Sequence, residues 1–191
     1  STSLDFATDE IFTSAQLGNN LLIAGGVLNM YDGQSVVESG FHLYPENLTV
    51  TPGTSGGSLA DGVYQVVVLY EWTDNKGQIH RSAPSLPVTA TVSGGGGSGK
   101  ITVTAPALRL TGKDGPTRSA VSIVGYVTEP AGSIFYRYTS VSSPTMNVVS
   151  ADTVALPDVT TVTISNEILY TTGDVLENSA PPACSVLEVY K

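Results

Sequence analysis

With 191 residues, 41% of them hydrophobic, the chain can build one large or two small domains around a sizeable core, which argues against a disordered chain. Charged residues make up only 13%, against about 25% in an average soluble domain, and Ser, Thr, Val and Gly take their place, as on the surface of a β-protein. Seventeen acidic against eight basic residues give a formal charge of −9, which repels a phosphate backbone and leaves no basic stripe for DNA or RNA.

The single cysteine, Cys184, has no internal partner, so stability must come from packing and sheet hydrogen bonds. The longest apolar run, residues 66–70, is far shorter than the roughly 20 residues of a membrane-spanning helix, and no charged-then-apolar leader opens the chain. The expectation is neither a membrane protein nor a precursor. The missing initiator Met, and an end just after the strand-like residues 185–190, predict a piece of a longer chain.

Residues 1–45 read as a first unit. Two short strands, 21–24 and 27–31, flank Gly25 and Gly26, and Asp32-Gly33 makes the next tight turn, which together predict a small β-meander. Pro45 and residues 51–58, rich in Gly and Ser, mark loops on either side of a short strand at 48–51. A second unit, 46–165, begins there.

The clearest element follows. Tyr64, Val66, Val68, Tyr70 and Trp72 are apolar at every second position, with Gln65 and Glu71 on the other face, so a long strand buries one face. Asp74, Asn75, Lys76 and Gly77 supply a hairpin turn, and residues 78–81 return as its partner. Val88, Ala90 and Val92 alternate with Thr89 and Thr91. Ile101, Val103 and Ala105 alternate with Lys100, Thr102 and Thr104, and the glycine run 93–99 joins the two as a flexible connection. Residues 121–128 and 133–141 form a further pair around the turn 129–132, and 160–164 is the expected last strand. Some seven short strands without a helical window predict an all-β sandwich. The remainder, 166–191, reads as a short helix or strand, a break at Pro181 and Pro182, and a final strand. Residues 22–28 and 170–176 share a Gly-x-Val-Leu core, too few matches to establish a repeat.

No motif gathers a catalytic, cofactor or metal site. Residues 53–57 are similar to the nucleophile loop of chymotrypsin-like serine proteases, with Thr54 where Asp is usual. The only preceding histidine, His42, is too close in sequence to leave room for the first barrel, so a Gly/Ser-rich connection is expected. Residues 94–100 match the first seven positions of a phosphate-binding loop. Ile101 replaces the magnesium-holding Ser or Thr, however, and a strand rather than a helix follows. His42 and His80 lack a second ligand at metal-site spacing. Cys184 has no basic neighbour to activate it, and a buried thiol is expected. Asp74 and Asn75 lack the alternating oxygens of a calcium loop, and Asp152 and Asp158 are expected in turns. Residues 47–49 form a glycosylation sequon. Tyr64, Tyr70, Trp72, Tyr126, Tyr136 and Tyr138 pose a choice between an aromatic sugar platform and core packing, and their apolar strand faces favour the core.

The order of features carries a resemblance. Gly62, Tyr64 and Tyr70, then Asp74 and Gly77, then Arg81 to Ser85, then the Ile101 strand, then Val124 to Glu129 and Phe135 to Arg137, follow one another. This order resembles the fibronectin type III-like, immunoglobulin-fold module of tailed-bacteriophage structural proteins, over about residues 46–165. Residues 20–45 resemble part of a β-propeller blade, and 169–184 the lead-in to another, as in phage tail nozzle or tail-tube proteins. The resemblance implies an immunoglobulin or fibronectin type III-like β-sandwich with blade-like flanks. It implies a non-enzymatic virion component without cofactors, placed at the tail or head–tail junction. Its expected partners are other virion proteins and copies of itself in a ring, with no specific nucleic-acid binding and no membrane. The alternative reading is an extracellular or cell-surface adhesion or carbohydrate-binding module.

Overall fold

The computed structural model describes residues 12–114, 118–143, 152–169 and 180–188. Among them every regular element is a strand and every pairing is antiparallel. Strands β1 (Ser14–Leu17), β2 (Asn20–Ile23), β3 (Asn29–Tyr31) and β4 (Val36–Glu38) form a meander in chain order. β5 (Thr49–Gly53), β9 (Lys100–Pro106) and β12 (Thr153–Ala155) form a three-stranded sheet in the order β12-β9-β5. The largest sheet runs β13 (Ile168–Leu169), β11 (Phe135–Ser142), β10 (Ser122–Thr128), β6 (Gly62–Thr73), β7 (Ile79–Arg81), with β8 (Val88–Val92) also on β6. The chain changes sheet between β5 and β6, β8 and β9, β9 and β10, β11 and β12, and β12 and β13, which laces the two sheets into a sandwich.

β6 is the centre of the fold. Tyr64, Val66, Val68, Tyr70 and Trp72 are each at most 2% exposed and share one cluster with Ile101, Val103 and Ala105 of β9. Each such Val or Ile contributes about 1.5–3 kcal/mol by leaving water. Met30, Val37 and Phe41 belong to the same cluster, so the meander shares the core of the sandwich. The alternation expected for β8 and β9 is present, with the threonines outward.

The single buried face expected for β6 is corrected to two. Val67 and Leu69, on the opposite face, pack with Val124, Tyr126, Phe135 and Leu169 in a second cluster. Leu169 comes from β13, which returns to pair with Phe135, a contact no local pattern announces.

Three boundaries also differ from expectation. Pro52 and Gly53 lie in β5 rather than in a loop, and β5 is an edge strand, where a missing proline N–H costs no ladder bond. The strand expected at 160–164 does not form. β12 ends before Pro157, and the chain then follows β9 irregularly, with Ile101 N donating to Val159 O at 3.0 Å and Val159 N to Ile101 O at 2.8 Å. In the last segment, Cys184 makes an isolated bridge to Gly26, residues 185–188 are not strand, and the echo at 170–176 lies outside the described residues.

Between β7 and β8 the ladder is interrupted by Pro84, and two serines replace the missing acceptors. Ser82 Oγ accepts from Tyr70 N at 2.9 Å and Ser85 Oγ from Val68 N at 3.0 Å, and both serines are buried. Ser82→Ala is expected to strand the Tyr70 N–H and cost about 1–3 kcal/mol in urea unfolding. A loss below about 0.5 kcal/mol, the range of an ordinary surface substitution, is the contrary result.

Gly125 shows a second local requirement. A Cβ there would lie 2.5 Å from Cε1 of Tyr138, so only a glycine leaves room for the tyrosine ring against β10.

Candidate interaction groove

The junction of meander and sandwich is built by two buried aspartates. Asp74 Oδ1 accepts from Lys76 N and Gln78 N, both at 2.8 Å, which shapes the β6–β7 turn. Its Oδ2 faces His80 Nε2 at 3.1 Å and accepts from Asn20 Nδ2 at 3.5 Å. Asp32 Oδ1 accepts from Gln34 N and Ser35 N at 2.9 and 2.8 Å, and its Oδ2 reaches across to Asn75 N at 3.0 Å. Lys76 Nζ closes the arrangement on Asn20 Oδ1 at 3.2 Å. The Trp72 indole lies 5.5 Å from the His80 ring.

Burial opposes the charge on both aspartates. It is outweighed at Asp74 by hydrogen bonds from His80, Gln78, Lys76 and Asn20, and at Asp32 by those from Asn75, Ser35 and Gln34, so both carboxyls titrate below the ordinary 3.8. A carboxyl that is more acidic in the folded state contributes stability above its unfolded pKa and loses it as pH falls through the folded value. The thermal midpoint is therefore expected to drop below about pH 4. Asp74→Asn should lower the midpoint at neutral pH and flatten that acid limb, and an acid limb unchanged in the variant is the opposing outcome.

Beside this junction a groove of about 690 Å³ runs between the β1–β2 turn and β7. Leu22, Leu28 and Met30 form its apolar floor, with Gly40 and Pro181 at one end. Its rims carry Leu17 and Ile79, 61% and 54% exposed. The inward pairs of the hairpin are Asp74 with Gln78 and Tyr70 with Ser82, so the alternation of an antiparallel ladder turns the backbone groups of Ile79 and Arg81 outward.

Above β7 lies a ring of alternating charges. Arg81 contacts Glu71 at 2.9 Å and Glu167 at 2.6 Å, and Arg137 contacts Glu167 at 2.9 Å and Glu71 at 3.4 Å. The Tyr126 hydroxyl stands 3.5 Å from Glu167 and is pushed up to about 12, first by burial. Burial disfavours ionised Glu167, but the bonds from Arg137 and Arg81 prevail and lower its pKa. The ring closes one side of the second cluster and orders the segment leading to β13. Glu71 stood out in the sequence only as a polar position on a strand, and Glu167 carried no signal.

The motifs singled out by sequence resolve into structural roles. Gly57 N donates to Ser98 O, making residues 53–57 a backbone-bonded connection. In the loop that is similar to a phosphate-binding loop, the Asp61 carboxylate accepts from Gly94 N and Gly95 N at 3.0 and 3.2 Å, so an internal anion holds those amides. Lys100 sits in β9 and pairs with Asp158 at 2.6 Å. Asp158 and Asp152 serve ion pairs rather than turns, the latter with Arg109 at 2.5 Å. His42 is exposed, and Cys184 is half-buried rather than buried. Tyr64, Tyr70, Trp72, Tyr126 and Tyr136 are core residues and Tyr138 packs against the core, so they form no platform. Asn47 of the sequon is exposed at φ 57°. Among the described residues no group of three or more His, Cys, Asp or Glu is placed to hold a metal ion, and no helix is long and apolar enough to cross a membrane.

Fold and groove define an all-β sandwich protein with an attached four-stranded meander. Neither a protein-family model, nor a curated protein, nor a solved structure matches the chain.

Proposed function

We propose that the protein is a non-enzymatic structural component of a phage virion, at the tail or head–tail junction, working through interfaces with copies of itself and with other virion proteins. The observation that carries this reading is the groove, an apolar floor bounded by exposed Leu17 and Ile79 and by the edge of β7, which is unpaired among the described residues. Apolar concavities beside unpaired strand edges suit persistent contact between proteins. The four-stranded meander also has the strand number of a propeller blade, in keeping with the phage-like order of features. The carbohydrate-binding alternative loses its aromatic platform to the core.

Mass spectrometry of density-purified phage particles from the host tests the reading, together with antibody labelling in the electron microscope. Peptides of this chain in fixed proportion to the capsid protein, with label at the tail, are expected. Recovery only from the cell envelope would favour the adhesion alternative.

A further inference from the structure

We propose that β1 is a self-association edge, pairing antiparallel with β1 of a second copy about a two-fold axis at Ala15. The proposal rests on the self-assembly part of the reading above and not on its virion setting.

The edges of β4 and β5 are blunted; at β1 the described residues engage only Thr13, just before the strand, whose hydroxyl donates to Ser185 O at 3.5 Å and accepts from Leu187 N at 2.9 Å. On β4, Lys113 Nζ donates to the Glu38 carbonyl at 2.7 Å and to the Gly40 carbonyl at 2.5 Å, occupying acceptors a further strand would need. On β5, Pro52 removes a donor. β1 carries neither device: Ser14, Gln16 and Leu17 are exposed, and the strand contains no charge and no proline. Ala24 N donates to Thr13 O, and Ala15 pairs in register with Leu22 and Leu17 with Asn20. By antiparallel alternation, the N–H and C=O groups of Ser14 and Gln16 therefore point away from β2. Among the described residues none of them has a partner.

An outward Ser14 and Gln16 are self-complementary. Ser14 of one copy would exchange both backbone bonds with Gln16 of the other, and the reverse pair would do the same on the far side of the axis. Ala15 would then face Ala15 at the closest approach of an antiparallel ladder, where a methyl side chain fits. Electrostatics permit the same partner. Neither β1 nor β2 carries a charged side chain, so the paired strands themselves bring no like charges together. Gln16, Leu21, Tyr31 and Val36 lie opposite one another across the meander, and pairing at β1 would continue this row into the second copy. The joined meanders would form one eight-stranded sheet. A two-fold contact closes on itself, so a ring requires a second, head-to-tail contact.

The test is solution mass by light scattering after size exclusion, over a concentration series of the full chain, with Gln16→Pro as the variant. Its lost N–H points outward, so the internal ladder is kept. Four-residue strands bury little area, and a dissociation constant of about 0.1–1 mM is expected. The wild type should move toward dimer over that range, while the variant stays monomeric with an unchanged thermal midpoint when dilute. If Gln16→Pro does not fold, Gln16→Lys supplies the same test through like charges at the paired edge. A dimer insensitive to both substitutions, or a wild type monomeric throughout, overturns the proposal. A larger species insensitive to both would sink this edge while leaving the assembly reading intact. A β1 dimer with no peptide in virions would sink the virion reading alone.

Discussion

Trp72→Ala is expected to lose about 3–5 kcal/mol of unfolding free energy, a large share of the roughly 5–15 kcal/mol that holds a domain of this size. Trp72 is 2% exposed, and it is among the largest fully buried side chains of the shared core. Its Nε1–H donates to Ser119 O at 3.0 Å, its ring lies tilted against that of His80, and Lys113 Nζ lies 5.8 Å from its ring centroid. Truncation would open a cavity where meander, hairpin and sandwich meet. Urea unfolding followed by circular dichroism measures the loss. Trp72→Phe keeps most of the ring but drops the indole donor, and should fall between wild type and alanine. A loss under about 1 kcal/mol, the centre of the range for point substitutions, would mean that the junction does not unfold with the core.

The second large effect concerns a buried cation. Lys113 has a fully buried side chain, with Glu38 Oε1 at 3.1 Å, two backbone carbonyls, and the Phe41 ring centroid at 4.8 Å. Burial lowers its pKa, and Glu38 only partly offsets that. Glu38 is also held by Thr111 Oγ1 at 2.5 Å and Gly112 N at 2.8 Å, and its carboxylate is part exposed. The partners are therefore unequal. Glu38→Ala leaves a buried ammonium without its counter-charge and should cost about 3–5 kcal/mol. Lys113→Met takes the donor from the Glu38 and Gly40 carbonyls, but leaves a carboxylate with two donors and some water, buries no charge, and keeps an apolar stem against Phe41, so its cost should be smaller. Equal losses in parallel denaturation curves would refute the asymmetry.

The groove illustrates what could be read in advance. His80, Asp74 and Arg81 were visible as hairpin residues, because Asp, Asn and Gly at a turn between alternating runs have a local physical meaning. That Asp32 and Asn20 would meet that hairpin was not legible. They are 43 and 54 residues away from their partners, and no periodicity encodes such a distance. Lys113 gave no signal either, since a lysine in a polar loop looks the same whether it faces water or caps two carbonyls. Ser82 and Ser85 stood in the sequence only within the ordered features of residues 81–85, though their hydroxyls carry the ladder past Pro84.

By itself the sequence determined the all-β class, the alternation of β6, β8 and β9, the hairpin turns and the low, acidic charge. Each of these follows from residues within a few positions of one another, where side-chain direction and turn chemistry act locally. The tertiary structure alone decided the second buried face of β6, the charge ring around Glu167, the pairing of meander and hairpin, and which edges stay open. Those depend on loop closure and on packing between distant segments, whose energies are set by the fold and not by any one stretch of chain.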